Sequence, residues 1–299
     1  MNIAITGASG LIGRMLVAHA ASHGARLYPL VRRQAQLGTL EISWDPHLGV
    51  LAAADLEGMD AVVHLAGENL GSGRWTAARK ARFRASRLQS TTLLCRALSQ
   101  LRRPPEVLVV ASAVGYYGDR GDVEVNEDTG PGRGFLAELV QAWEAAAGPA
   151  RDMGIRVVHA RFGIVLSRHG GALARQLPLF RWGLGGPLGS GHQYVSWIAA
   201  TDAIGAVWQA LHDATLNGPC NIVSPQPVTS AEFAGTLGRV LRRPVWLPAP
   251  AFALRLLLGD MADEALLVST RVRPGCLLSA EYPFVCPELE AALRHELNR

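Results

Sequence analysis

Lysine is almost missing from this chain. Of 29 basic side chains in 299 residues, one is lysine, Lys80, and the rest are arginine. Ala, Gly and Arg are all abundant, so composition bias accounts for the scarcity. Even so, any mechanism that needs a lysine has a single candidate. Cysteine is scarce too. Cys95, Cys220, Cys276 and Cys286 lie far apart and none forms C-x-x-C, which argues against zinc ribbons and thioredoxin-type chemistry. With no disulfide framework, a reducing cytoplasm is the expected compartment. No basic stretch precedes the first strand-like run, so no signal peptide is expected. The longest apolar runs, such as residues 251–258, are too short to span a bilayer and contain Arg255. A concentrated charge of one sign is also lacking. The net charge is +4 with 18% charged and 49% hydrophobic residues, which excludes a disordered chain and disfavours nucleic acid as a partner. The nine histidines show no metal-ligand spacing, and no metal site is expected.

What is present is an alternation of short β-branched runs and amphipathic stretches. Strands are expected at Asn2–Thr6, Arg26–Val31 and residues 60–65, 106–111 and 155–160, with helices over residues 11–23, 76–101 and 134–147. Residues 33–58 carry only weak signals. The apolar runs are nearly continuous, as in strands covered on both faces. The fold class is therefore α/β, a doubly wound parallel sheet with right-handed crossovers. Beyond Phe162 the pattern loosens. A glycine-rich loop over residues 181–191 precedes a short strand at 194–198, a helix at 202–212, a strand at 220–223 and a helix at 229–241. Thr229 and Glu232 read as a capping box for that last helix. Residues 244–250 are proline-rich and read as a linker or extended edge. Small helices are expected at 252–258, 263–268 and 287–297.

Thr6-Gly7-Ala8-Ser9-Gly10-Leu11-Ile12-Gly13 is the most informative segment. It sits between the first strand and the first helix. Gly7 permits the tight turn, Gly10 lets a pyrophosphate approach the backbone, and Gly13 lets the helix pack against the sheet. The helix N-terminus then offers N–H groups to the phosphates. The end of the second strand reads Val31-Arg32-Arg33, with no acidic residue between Leu27 and Leu40. An acidic residue there would take a ribose 2′-hydroxyl, whereas arginine accommodates a 2′-phosphate. NADP(H) is thus expected over NAD(H).

These residues resemble the short-chain dehydrogenase/reductase superfamily, in its extended, nucleotide-sugar-epimerase-like branch. Thr6–Gly13 is similar to that branch's TGxxGxxG, and His64-Leu65-Ala66-Gly67 to its H-x-A-(G/A) element beside the adenine. The segment Ala111-Ser112-Ala113-Val114-Gly115-Tyr116-Tyr117-Gly118 resembles SSxxVYG. Arg161-Phe162-Gly163-Ile164-Val165-Leu166 resembles the turn after the fifth strand, which contacts nicotinamide. Gly67-Glu68-Asn69, Arg74-Trp75, Ser86-Arg87 and residues 252–266 are similar to a subfamily with a short C-terminal domain of unassigned function. The resemblance covers nearly the whole chain. It implies a Rossmann-type domain over residues 1–166 and 192–224, and a smaller mixed α/β substrate-side lobe over 167–191 and 225–299. It implies cofactor contacts from Gly7, Ser9, Gly10, Leu11, Ile12, Gly13, Arg32, Arg33, Leu65, Ala66, Gly67, Ala111, Ser112, Phe162 and Ile164. Trp75, His192, Gln193 and Trp197 are the implied contacts to an unknown small-molecule substrate. A homodimer is expected only by analogy with the superfamily.

The superfamily's acid/base couple, Tyr-x-x-x-Lys, has no counterpart. In the helix after the fourth strand its slots fall on Phe135/Leu139 or Leu136/Val140. Tyr28, Tyr116, Tyr117, Tyr194 and Tyr282 have no lysine four residues on, and arginine is no substitute for one. Two readings follow. In one, an atypical oxidoreductase or epimerase uses Ser112 to orient a carbonyl or hydroxyl and Tyr116, Tyr117 or Glu138 as proton donor or base. In the other, the protein is a sensor or interaction partner that binds NADPH without turnover. The basic stretch Arg74, Arg79, Lys80, Arg82, Arg84 and Arg87 reads as a solvated helix face or as a contact to a phosphorylated ligand.

Overall fold

The computed structural model describes all 299 residues. The central sheet has eight strands: β1 (Asn2–Thr6), β2 (Arg26–Val31), β3 (Ile42–Asp45), β4 (Val50–Leu51), β5 (Ala61–His64), β6 (Val107–Ala113), β7 (Arg156–Phe162) and β8 (Gly218–Ile222). Their order across the sheet is β8-β7-β6-β5-β1-β2-β3-β4, and every pairing is parallel except β3 with β4. The chain winds outward from β1 through β2 and β3, then returns to β5 on the other side of β1. The crevice between β1 and β5 is thus the topological switch point, where ligands of open α/β sheets bind.

Strand period and helix stripe meet in two cores. Ile3, Ile5, Val63, Val109 and Val158 face one side, against Leu16 of α1 (Leu11–Ser22) and residues of α4 (Ala200–His212). Their neighbours Ala4, Val62, Leu108 and Val157 face the other, against Leu94 and Leu98 of α2 (Ala77–Leu98) and Trp143 of α3 (Phe135–Ala146). Alternation along a strand sends successive side chains to opposite faces, and both faces are buried.

The five expected strands of the first half are present, with ends shifted by a few residues. The capping box at Thr229 is formed, its hydroxyl accepting from Glu232 N while the Glu232 carboxylate accepts from Thr229 N. Four features differ from expectation. β3 and β4 form an edge hairpin inside the stretch read as irregular; they are too short to show a period, and pairing with β2 creates them. The expected strand at 194–198 is two, Tyr194–Val195 and Trp197–Ala199, which pair with Val228–Thr229 and Ile164–Leu166. Helix Gly171–Arg181 carries Pro178 inside it and was not anticipated. Finally, the helix expected to end at 147 is followed directly by a further turn, Gly148–Asp152, with Pro149 in its first turn, where its missing N–H costs nothing.

The last fifty residues are strapped to the sheet domain by carboxylates. Glu264 accepts from the N–H groups of Phe135 and Leu136 and so caps α3, whose own N-cap, Gly134, has no side chain. Glu296 accepts from Ala200 and Thr201 at the start of α4, and Asp202 accepts from Val285 and Cys286. Lys80, the lone lysine, pairs with Asp260. The one lysine ties α2 to the C-terminal segment.

Candidate functional site

The glycine turn is built as a cradle. Gly7 has φ +71°, and a Cβ there would lie 2.8 Å from the Leu65 carbonyl carbon. A Cβ on Gly13 would lie 2.2 Å from the Gly7 carbonyl oxygen. Gly10 caps α1 without a side-chain hydrogen bond, and the first turn holds no acidic residue. The amides of Leu11 and Ile12 therefore face the crevice with neither a cap nor a counter-charge, an arrangement suited to a phosphate. Ser9 and Gly10 are exposed. Leu65 and Ala66 close the opposite side, their amides bonded to Thr6 Oγ1 at 3.1 Å. Gly67 continues that wall and is exposed.

The two arginines after β2 are not equivalent. Arg33 is held by Glu41 through two hydrogen bonds of 2.6 and 2.9 Å. Glu41 lies one residue beyond the acid-free stretch, so sequence alone did not show the pairing. Arg32 is exposed and forms no side-chain hydrogen bond or ion pair, which leaves its guanidinium free for an anion.

His64 holds the crevice floor. It is fully buried, with Nδ1 2.7 Å from Thr6 Oγ1 and Nε2 3.0 Å from Thr91 Oγ1. Burial, helped by the nearby Arg87 guanidinium, pulls its pKa down to about 4. Burial likewise pulls His159 down to about 4. Both imidazoles are neutral in the folded protein. The unfolded chain, with histidines near 6.5, binds protons between about pH 6.5 and 4 that the native state refuses. Stability should thus be level above about pH 7 and fall through that window, by a few kcal/mol in order of magnitude. Thermal melts from pH 7.5 to 4.5 check this. A constant Tm would contradict it, and His159→Gln should flatten part of the slope.

The ends of β6, β7 and β8 carry a buried polar chain. Ser112 Oγ donates to Glu144 Oε1 at 2.6 Å, and Arg161 grips both oxygens of Glu144 at 2.8 Å. Arg161 also donates to the Tyr117 hydroxyl at 3.0 Å, which in turn donates to Asn221 Oδ1 at 2.8 Å. The Arg161 guanidinium lies 3.5 Å from the centroid of the Tyr116 ring. Ser112, Tyr117, Arg161 and Asn221 are all buried. Burial pushes the Tyr117 phenol up to about 12 despite Arg161.

This placement revises the expected acid/base roles. The hydroxyls of Ser112 and Tyr117 are spent inside the fold, where they position the strand ends. Glu138 is exposed on α3. Leu136, Leu139 and Val140, three of the four residues in the Tyr-x-x-x-Lys slots, are buried, and Phe135 is partly buried. Three of the four expected substrate contacts are also structural. Trp197 is fully buried and donates to Gln226 O, Trp75 packs on Phe83 and donates to Leu70 O, and the Gln193 amide donates to Leu188 O and Leu266 O. His192 alone of the four is exposed.

A different set lines the cleft above the strand ends. Val114, Ile164, Leu188, Phe233 and Leu266 line it, around a space of about 100 Å³. Phe162 lies buried beneath, and Ala111 is partly buried at the end of β6. Its polar lining is Gln176, Tyr194, Ser196, Ser230 and Thr270, none of which the sequence singles out as a site residue. The Tyr194 hydroxyl has no partner within the protein, and the Arg271 guanidinium stands 5.0 Å from its ring centroid. The pairing of cation and phenol comes from residues 77 apart in sequence, which no local spacing could reveal.

Comparison with known proteins agrees with this architecture. Residues 3–222 match the profile of the NAD dependent epimerase/dehydratase family, and residues 249–296 match a domain of unknown function, DUF1731. An epimerase family protein of Mycobacterium bovis is 42% identical over 297 residues, covering 99% of this chain and 98% of its own length. The crystal structure of the human epimerase family protein SDR39U1 with NADPH superposes with a TM-score of 0.93 at 35% identity, covering all of both chains. A nucleoside-diphosphate sugar epimerase from Corynebacterium glutamicum superposes with a TM-score of 0.82 at 34% identity, covering 99% of this chain and 58% of that one.

Proposed function

The chain belongs to the NAD dependent epimerase/dehydratase family, and we propose that it is an NADP(H)-binding oxidoreductase or epimerase acting on an unknown small molecule without the Tyr-x-x-x-Lys couple. The observation that carries this reading is the open glycine cradle beside an unpaired Arg32. The residues fit the group: Gly7, Gly10 and Gly13 clear space for a pyrophosphate, the amides of Leu11 and Ile12 bind it, and Arg32 takes a 2′-phosphate. The solved human relative, crystallised with NADPH, supports the same choice. When bound, the nicotinamide supplies or accepts a hydride.

The protein's own part is to hold, orient and exclude. Ala66 and Gly67 flank the adenine side. Phe162 and Ile164 shape the nicotinamide side, with Ala111 and Ser112 beneath. The cleft of Val114, Leu188, Phe233 and Leu266 excludes water from a ligand with an apolar body. The donor role passes from Tyr116, Tyr117 and Glu138 to Tyr194, whose ring Arg271 steadies. His192 guards the exposed rim. General acid–base catalysis contributes about 10²–10⁴-fold, so a weakened couple leaves slow turnover rather than none.

A second reading, an NADPH-binding sensor without turnover, rests on the apolar slots of α3. Incubating the protein with NADPH and a panel of carbonyl compounds, while following nicotinamide absorbance, separates the two. Slow oxidation that Tyr194→Phe diminishes supports the enzyme. Tight binding with no oxidation supports the sensor. For the cofactor, Arg32→Ala should weaken NADPH by about 10–100-fold, since a charge-assisted bond is worth about 1.5–3 kcal/mol. NADH should be little affected, and Arg33→Ala should do less because Glu41 already holds that side chain. Equal loss for both cofactors would contradict the assignment.

A further inference from the structure

Away from the cleft, three side chains from distant parts of the chain converge. Cys220 lies on β8, Cys276 in the short helix Gly275–Ser279, and Glu127 in the loop after the small strand Glu124–Val125. Their ligating atoms all lie within 4.8 Å of one another. Cys220 is fully buried and Cys276 half-buried. The two thiol sulfurs lie within 4.8 Å of each other. One oxygen of Glu127, Oε1, accepts from Asn221 N at 2.9 Å and Cys276 N at 3.1 Å, so the carboxylate is aimed by the backbones of both cysteine segments. The other oxygen, Oε2, accepts no hydrogen bond from the protein, and glycine at 275 leaves room beside it; a Cβ there would stand 2.7 Å from it.

We propose that Glu127, Cys220 and Cys276 form a binding site for a borderline-soft divalent cation of the Zn²⁺ class. The donor set is two sulfurs and one carboxylate oxygen, which suits Zn²⁺ rather than Mg²⁺ or Ca²⁺. A tetrahedral ion with bonds near 2.3 Å holds its sulfurs about 3.8 Å apart, inside the 4.8 Å that bounds these donor atoms. The fourth position is left to water from the adjoining cavity, which Asn126, Arg273 and Gly275 line. Binding releases both thiol protons to solvent, and the dication offsets two of the three negative charges thereby gathered. A bound ion would pin β8 to the C-terminal segment. Neither of the other cysteines, Cys95 and Cys286, belongs to a group of three such donors, and Cys95 serves as the control. No C-x-x-C marks this site, because its cysteines are 56 residues apart and meet only in the fold.

The test uses the full-length protein, reduced and stripped with chelator, titrated with Co²⁺. One equivalent should give a thiolate-to-cobalt charge-transfer band and the visible bands of a tetrahedral ion, and Zn²⁺ should displace it. Zn²⁺ should raise the Tm of the wild type by mass action. Cys276→Ser and Cys220→Ser should each lose the band and the thermal shift, Glu127→Gln should weaken both at least tenfold, and Cys95→Ser should change neither. Retained NADPH binding in Cys276→Ala confirms that the variants fold. Absence of a thiolate–cobalt band in the reduced wild type would overturn the proposal. So would a band that survives in both cysteine variants, or a pair that only closes to a disulfide under oxidant.

Discussion

Gly13→Ala should abolish measurable NADPH binding. The added methyl would sit 2.2 Å from the Gly7 carbonyl oxygen and 2.8 Å from the Ala8 Cα. Both are backbone atoms of the cradle itself, so no flexible side chain can swing away. Either the first turn of α1 lifts off the loop or the loop leaves the helix, and both moves dismantle the ring of amides that meets the pyrophosphate. Overpacking of this kind costs about 1–3 kcal/mol or more in stability. The loss in affinity should exceed about 100-fold, because phosphate binding depends on loop and helix N-terminus together. Gly10→Ala provides the contrast. Its methyl meets only the Gly7 oxygen, at 3.2 Å, so the fold should persist while a close phosphate is displaced. Fluorescence titration with NADPH, alongside circular dichroism, separates the two variants. Wild-type affinity in Gly13→Ala would refute the cradle.

Glu144→Ala should be among the most destabilising single substitutions in the protein. It strands the Arg161 guanidinium, 3% exposed, without its carboxylate, and leaves Ser112 Oγ without an acceptor. Breaking a buried ion pair by removing one partner costs about 3–5 kcal/mol. The Tm should fall by roughly ten degrees, at about 2–4 °C per kcal/mol for a large domain. The paired change Glu144→Leu with Arg161→Met should recover much of that loss, since replacing both partners with apolar groups of similar volume is often near neutral. This outcome carries a functional message. If the pair is structural, the double variant folds and still binds NADPH. If Arg161 and Glu144 touch a reacting atom, it folds and binds but loses whatever turnover the wild type shows.

The parts of the fold that were legible in the sequence are those with strong local signals. β1 and β2 read out of β-branched runs, the crossover helices out of apolar spacing, and the phosphate cradle out of three glycines placed between a strand and a helix. What could not be read depends on partners remote in sequence. β3 and β4 exist because β2 offers an edge to pair with. Glu264 caps α3 from 129 residues away, replacing a cap that Gly134 cannot give. Ser112 and Tyr117 looked like chemical groups because sequence shows the hydroxyl and not its partners; Glu144, Arg161 and Asn221 take them out of play. Trp75 and Trp197 looked like ligand platforms for the same reason. Tyr194, beside Arg271, had no local mark at all. The lone Lys80 was singled out by scarcity, and the fold spends it on Asp260, an ordinary surface pair with little net stability to give.

The central claim is that the crevice between β1 and β5 binds a nicotinamide dinucleotide carrying a 2′-phosphate. Calorimetric titration of the wild-type protein with NADPH and NADH under identical conditions tests it most directly. NADPH should bind at one site per chain, at least tenfold more tightly than NADH. Equal affinity, or tighter binding of NADH, would contradict it.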